Sequence, residues 1–371
     1  MSTENYEMSQ PLPKRILIIA IRAIGDIVLI TPLLPLLKKR FPTSYLALLA
    51  DGSSAQIFEN NPHLDQLFII DRSSSNQLPW LARVQLWVKL VSMLRRQNFD
   101  IVVDLFSGPR SAILGYISKA RDRYGEDFRK RGRGLFYNHP ISISRDGRHI
   151  VEQKLDLIQP LIGKVEPKGS GLELYLTDEE KRTIKPLLCL PEKKWHRMIG
   201  LVPSAGSIWR VWPSKRFAEL ADALVETYGA EIVLLGGKSD HSVCQRIGDF
   251  MINTPLDLSG KTTLRELMAV MAELDLVISN VTGPLHVASA FPKPKVIGLY
   301  GAADTVQYAP WGANVTMLTK GTPGDAFWNN VDYQRDYDFL LQITVADVLK
   351  TVRSVMQEWS RADEAILKKN V

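Results

Sequence analysis

A buried apolar run that stops at a Ser, Asn, Thr and Gly turn and restarts as a helix constrains a chain strongly, and Leu276–Ala290, LVISNVTGPLHVASA, is such a stretch. Leu276, Val277 and Ile278 read as the end of a strand. Ser279, Asn280 and Thr282 supply turn and N-cap chemistry, Gly283 lets a second group approach the backbone, and Leu285–Ala290 continues with helical spacing. Where a strand's carboxyl end meets a helix start, backbone N–H groups face an anion, and open α/β sheets collect ligands there. Phosphate is the natural guest. Any α/β chain has several such junctions, so the other segments must say whether this one is used.

At 371 residues the chain exceeds what one core usually organises, so two domains of roughly 150–190 residues are expected. Apolar residues at 45% and charged ones at 23% describe an ordinary globule. Cys189 and Cys244 offer neither a disulfide framework nor metal-ligand spacing, which fits a reducing cytoplasm. MSTENYEMSQ has no basic region of the kind that opens a secretory signal, and runs such as Ile16–Ile21 are far too short to span a bilayer. A net charge of +6 admits an acidic partner, either anionic lipid, acidic glycan or nucleic acid, without choosing among them. Nothing beyond that charge supports nucleic acid, and no such partner is expected.

Residues 1–13 read as a disordered lead-in, followed by a first domain over 14–185. Its opening strand, RILIIA at Arg15–Ala20, is apolar on both faces, as in a parallel sheet. The turn IRAIGD leads into a helix over Ile27–Lys39, completing the start of a βαβ unit, with Asp26 where turn meets helix. Tyr45–Leu49, Leu67–Ile70 and Ile101–Leu105 are further strands, with helices between. In Trp80–Gln97 the polar residues Gln85, Lys89, Ser92 and Arg96 form one narrow stripe. Trp80 and Trp87 beside Arg83 and Arg95 suit a lipid surface, but the expectation is a well-buried crossover helix. Residues 110–148 hold ten Lys/Arg against four acids, and RKRGRG at 129–134 reads as a Gly-broken basic loop, either a flap for phosphates and carboxylates or a solvated surface.

The alternation of strand and helix restarts near Trp195–Val202, giving a second domain over 186–345. Strands are expected at Glu231–Leu235, Asp275–Ser279 and Val296–Tyr300, with helices at Phe217–Tyr228 and Leu264–Leu274. The last helix, 346–371, is read as returning to the first domain. No sequence repeat relates the halves. Two doubly wound sheets predict a cleft lined by strand carboxyl ends.

Asp26 is the leading catalytic candidate: a carboxylate on such a rim serves as general base or as a helix cap. PSAGSIWRVWP at Pro203–Pro213 combines small residues that expose backbone donors with the guanidinium of Arg210, suiting a pyrophosphate. In GGKSD at Gly236–Asp240, Asp240 either accepts from a ribose hydroxyl or caps the next helix. His286 is either a structural hydrogen-bonder or a ligand contact. There is no GxxxxGK[ST], no GxGxxG after a strand, no HExxH and no CxxC, and the only DxD, Asp336–Asp338, lies beyond the last strand expected of the second domain, so no metal is expected.

In this order, these segments resemble glycosyltransferase family 9, the ADP-heptose:lipopolysaccharide heptosyltransferases, over roughly residues 14–352. Ile16–Leu37 resembles the opening strand, G-D turn and helix. Asp104–Ala112, DLFSGPRSA, is similar to D-L-Q-G-x-x-R-S-A, and Pro203–Pro213 to P-G-A-x-x-x-x-K-R-W-P. Leu234–His241 is similar to the nucleotide-side Gly-rich loop and Ser279–His286 to S-N-D-T/S-G-P/L-x-H. The resemblance implies a GT-B fold of two Rossmann-like domains, acceptor on the first and nucleotide sugar on the second. It also implies inverting, metal-independent transfer of a heptose-type sugar from an ADP donor, with no cofactor, to a lipopolysaccharide core or related glycolipid at the cytoplasmic face of the inner membrane. A non-catalytic sugar-nucleotide or glycan binder of the same fold is the alternative.

By position, the resemblance makes Asp26 the base and assigns Ser204, Ser207, Arg210, Asn280, Thr282, Gly283 and His286 to the donor and its diphosphate. Gly236, Gly237 and Asp240 fall on the nucleoside side, and Arg22, Gly25, Arg110, Arg129 and Arg131 on the acceptor side. Three features depart from the family pattern. Val281 stands where the motif has Asp, Arg210 where it has Lys, and no Cys-containing loop occurs in 318–340.

Overall fold

The structure, a computed structural model, describes residues 14–71, 79–128, 132–145, 147–166, 171–188, 197–301, 305–321 and 333–369. The lead-in 1–13 and residues Arg129 and Arg131 lie outside them. By its contacts the chain divides into two compact units. The first takes the chain up to Ala23, Pro32–Ser144 and Glu152–Pro167. The second takes Ile24–Thr31, Arg145–Val151 and Lys168–Val371.

The first half runs β1 (Arg15–Ala20), α1 (Ile24–Val28), α2 (Leu33–Arg40), β2 (Tyr45–Asp51), β3 (Gln66–Ile70), α3 (Trp80–Arg96), β4 (Ile101–Asp104), α4 (Pro109–Ile117), β5 (Asp122–Glu126), β6 (His139–Ile141) and α5 (Ile150–Ile162). The single helix expected over Ile27–Lys39 is two. Bonds from Ile30 N–H to Ile27 O and from Thr31 N–H to Val28 O tighten the chain after α1. Pro32, with no N–H to give, then stands at the start of α2. β5 and β6 escape a hydropathy reading because DRYGE and HPI carry no apolar run. They lie inside the basic stretch, on either side of the 129–134 segment.

The second half runs α6 (Asp178–Thr183), β7 (Met198–Val202), α7 (Ser214–Tyr228), β8 (Glu231–Leu234), α8 (His241–Phe250), β9 (Leu256–Asp257), α9 (Leu264–Glu273), β10 (Leu276–Asn280), α10 (Gly283–Ser289), β11 (Lys295–Tyr300), β12 (Val315–Thr319), α11 (Tyr333–Gln342) and α12 (Val345–Lys369). All strand pairings in both sheets are parallel. The orders are β3-β2-β1-β4-β5-β6 and β9-β8-β7-β10-β11-β12, so each half repeats the doubly wound Rossmann arrangement without repeating its sequence. The order reverses between β1 and β4 and between β7 and β10. The loops after these strands hold Asp26, Asp104–Ala112, Pro203–Pro213 and Ser279–His286.

Each sheet builds its own core. In the first, Leu17, Ile19, Ala47, Leu49, Phe68 and Val102 interlock with Leu114 of α4. In the second, Ile199, Leu201, Leu276, Ile278, Ile297 and Leu299 pack against Trp212 and Phe217. Val348, Val352, Val355 and Met356 of α12 bury in that second core. The first turns of the last helix thus belong to the second sheet's core. No helix among the described residues is long and apolar enough to cross a membrane.

α3 is the largest departure from expectation. Only Leu90 and Leu94 are buried, and Trp80, Leu81, Val84, Leu86, Trp87 and Val88 are exposed. It is not the well-buried crossover helix its hydropathy suggested, because its first turns extend past the core they would need to pack on.

Within the second unit, α6 is fastened to α9 by one ion pair. Thr177 and Glu180 form a reciprocal capping box at the start of α6. Buried Arg265 donates from Nε to Glu180 Oε1 and from Nη2 to Oε2, both at 2.7 Å, and also to the Tyr175 carbonyl at 2.7 Å. The guanidinium and the cap hydrogen bonds lower the Glu180 carboxyl from 4.5 to about 2. A depressed carboxyl stabilises the fold above its unfolded value and ceases to do so as pH falls through its folded value. Glu180→Gln is expected to destabilise the protein by about 2 kcal/mol at neutral pH. In thermal melts the gap from wild type should close as pH falls from 4.5 toward 2, and a pH-independent gap would refute the ion-pair account.

Candidate functional site

The turn after β10 is held by Asn280, whose side chain is fully buried. Its Nδ2 donates to the Pro203 carbonyl at 2.6 Å and its Oδ1 accepts from the Trp212 N–H at 3.2 Å. One amide thus clamps both ends of the loop that follows β7, so Asn280 is a positioning residue with its donor and acceptor functions engaged. Trp212 adds a third tie, its indole N–H donating to the Ile343 carbonyl at 2.9 Å while its ring meets Phe217 edge-on. Between those anchors lie buried Ser204, half-buried Ser207 and half-buried Arg210. The Arg210 N–H closes a tight turn on the Ser207 carbonyl at 3.0 Å. Ile208 is exposed at the loop's outer face, while Trp209 meets Tyr337 edge-on.

The loop after β8 is pinned internally. Asp240 Oδ2 accepts from the Gly237 N–H at 2.8 Å, and the Gly260 N–H donates to the Gly236 carbonyl at 2.9 Å. Asp240 thus folds its own loop back and makes no side-chain cap on α8, leaving the Gly236–Gly237 backbone at the carboxyl edge of β8.

The closest approach in the site is between α1 and α10. A Cβ built on Gly283 would stand 3.2 Å from the Gly25 nitrogen and 3.2 Å from Ile24 Cβ, and one on Gly25 would stand 3.0 Å from His286 Cδ2. A side chain at either position would crowd the facing helix by a few tenths of an ångström, because the two helices pack closely there. This contact draws Ile24–Thr31 into the second unit and with it Asp26, half-buried as the third residue of α1. Gly25, expected on the acceptor side, therefore lies against two residues assigned to the donor. Thr282 occupies the N-cap position of α10 without spending its hydroxyl on the helix.

His286 sits beneath this contact, 5% exposed, its Nδ1 without a hydrogen-bond partner. Burial, and next the nearby His149, lower its imidazole to about 3, so it is neutral at physiological pH. His149 carries no sequence signal, since nothing in its spacing connects it to His286. Its Nε2 lies 2.7 Å from the Ala309 carbonyl and its Nδ1 receives the Val151 N–H at 3.1 Å, which places its proton on Nε2. The His149 ring also leans on Trp311 at 4.5 Å. The sequence reading missed this His149–Trp311 pair, which His149 places near His286.

In the first unit Asp104 organises the loop after β4. Fully buried, it accepts from the N–H groups of Phe106 and Ser107 at 3.2 and 2.9 Å and from the Tyr137 hydroxyl at 2.7 Å. Burial raises its carboxyl above the ordinary range. The loop so formed presents Phe106, over whose ring lie the Arg22 guanidinium at 5.3 Å and the Lys154 ammonium at 4.6 Å. Lys154 is buried and was missed by the sequence reading, because it falls in an amphipathic helix, α5, that reads as packing. Arg110 is exposed in the first turn of α4. Both cations thus make cation–π contacts with the Phe106 ring. Among the described residues no group of three His, Cys, Asp or Glu side chains is arranged to hold a metal ion.

Residues 87–327 match the family described as glycosyltransferase family 9 (heptosyltransferase). The chain is 27% identical over 340 residues to lipopolysaccharide heptosyltransferase 3 of Escherichia coli (strain K12), covering 90% of this chain and 96% of that protein. Among solved structures it resembles the glycosyl transferase family 9 protein from Veillonella parvula DSM 2008, with TM-score 0.79 at 24% identity over 93% of this chain and 97% of that one. It also resembles the E. coli ADP-heptose lps heptosyltransferase II, with TM-score 0.76 at 20% identity over 93% and 99%. These likenesses give the two parallel-sheet domains the GT-B fold. The chain is a glycosyltransferase and belongs to glycosyltransferase family 9 (heptosyltransferase).

Proposed function

We propose that this chain transfers a heptose-type sugar from an ADP-linked donor to a lipopolysaccharide core acceptor by a single inverting displacement, with no metal. The donor and acceptor classes come from the relatives' names, which specify lipopolysaccharide and, for one solved structure, ADP-heptose. The observation that carries the catalytic part is the contact of Gly25 with Gly283 and His286, which seats Asp26 one residue from the helix of the donor motif.

In this reading the Asp26 carboxylate takes the proton of an acceptor hydroxyl as its oxygen bonds to the anomeric carbon. The bond from that carbon to the diphosphate oxygen breaks on the opposite face, and ADP departs with the bonding pair. Arg210, the Thr282 hydroxyl and the backbone N–H groups of the 204–207 loop receive the developing charge, as fixed donors do where no cation is recruited. Neutral His286 supplies one donor and one acceptor without adding charge. Val281 offers no carboxylate to a sugar hydroxyl, so in this reading donor selectivity rests on residues other than Val281.

Asp26→Asn is expected to lower transfer by about 10²–10⁴-fold. The thermal shift given by ADP should survive, and should exceed those given by UDP and GDP. Full activity in the variant would remove Asp26 from the mechanism. ADP binding without donor hydrolysis or transfer in the wild type would favour a sugar-nucleotide binder instead. Gly25→Ala probes positioning: its methyl group meets His286 Cδ2 at 3.0 Å, so α1 must shift by a few tenths of an ångström. Turnover should fall by about 10–100-fold with donor KM little changed, and unchanged turnover would show that the glycine contact does not position Asp26.

A further inference from the structure

The second half of helix α3 packs on the core, while its first half leaves large apolar groups outside it. Leu90 and Leu94 are buried there, and Val91 and Met93 pack against the same core. Trp80, Leu81, Val84, Trp87 and Val88 fall on one stripe roughly 120° wide at about 100° per residue, which continues toward the core through Val91. All five are exposed, Trp80 by 70% and Val88 by 62%. A soluble surface rarely leaves such a run of large apolar groups contiguous without a use for it.

The charge on the helix selects the occupant. Arg83, Lys89, Arg95 and Arg96 lie on α3, and there is no acidic residue among Trp80–Arg96. Lys89 and Arg96 share the polar stripe with Gln85 and Ser92, next to the exposed apolar one. Two such helices packed face to face would oppose like charges, which disfavours a second copy of the chain. An anionic bilayer satisfies both features. Tryptophans settle at the headgroup boundary, the aliphatic side chains enter the acyl margin, and each basic residue near the surface is attracted to the anionic headgroups.

We infer that α3 is an interfacial membrane anchor that lies in the surface of an anionic bilayer on its Trp80–Val88 stripe. The site is separate from the residues assigned to transfer, so the inference holds whether or not that assignment is right.

The test is cosedimentation of the full-length protein with vesicles of phosphatidylethanolamine and phosphatidylglycerol, against vesicles of phosphatidylcholine alone. Wild type should partition onto the anionic vesicles at least about tenfold better, and high salt should weaken the binding. Trp80→Ser with Trp87→Ser should reduce partitioning by about tenfold or more, with the melting temperature and the ADP-induced shift retained. In wild type, hydrogen exchange with and without vesicles should show protection gathered over 80–89, a readout that does not depend on the variant folding. Equal partitioning of variant and wild type, absent binding to anionic vesicles at low salt, or protection elsewhere would overturn the assignment. So would a concentration-dependent dimer that the double substitution dissolves.

Discussion

Much of the candidate site depends on the meeting of Gly25 with Gly283. With no Cβ on either side, α1 and α10 approach until a methyl group on Gly283 would stand 3.2 Å from the Gly25 nitrogen. That approach buries His286 and ties the short helix bearing Asp26 to the unit that holds the 203–213 and 236–240 loops. Asn280 performs the matching task one turn earlier by clamping Pro203 and Trp212. Loop geometry around β7 and β10 is thus set by close packing and by one fully engaged amide, not by charge.

The electrostatics follow from this packing. His286 is deprived of water and held neutral, while charge is left to Arg210 on the loop and to Arg22 and Lys154 around Phe106 in the first unit. In the proposed reaction, a neutral imidazole beneath the diphosphate motif and a half-buried carboxylate beside it divide the labour: Asp26 handles the proton, and the cation with its neighbouring N–H groups handles the leaving group. Asp104, by contrast, is a carboxylate used for architecture. Its oxygens are spent on Phe106, Ser107 and Tyr137, and burial raises its carboxyl, so its presence in a recognisable motif reflects loop construction.

The legible parts of the fold were those written in periodicity. RILIIA and the run ending at Ile278 were readable as strands buried on both faces, and the Gly, Asn and Thr after them as turns. The resemblance to a family then ordered these turns into a site. β5, β6 and β9 were not readable, since DRYGE, HPI and the two-residue LD owe their conformation to neighbouring strands rather than to their own composition. Neither was the recurrence of one strand order in both halves, which sequence similarity does not carry. Side-chain pairings distant in sequence, such as His149 near His286 or Lys154 over Phe106, have no local signal. α3 misled in the other direction: its polar stripe was correctly located, but hydropathy cannot distinguish an apolar face that packs on a core from one left outside it.

The central chemical claim is a single displacement with Asp26 as the base, and the anomeric configuration of the product tests it most directly. The measurement is the NMR anomeric assignment of the sugar transferred from an ADP-linked heptose to a truncated lipopolysaccharide core. The account predicts a configuration inverted relative to the donor. Retention would require either a covalent intermediate or departure and attack on one face, and would contradict it.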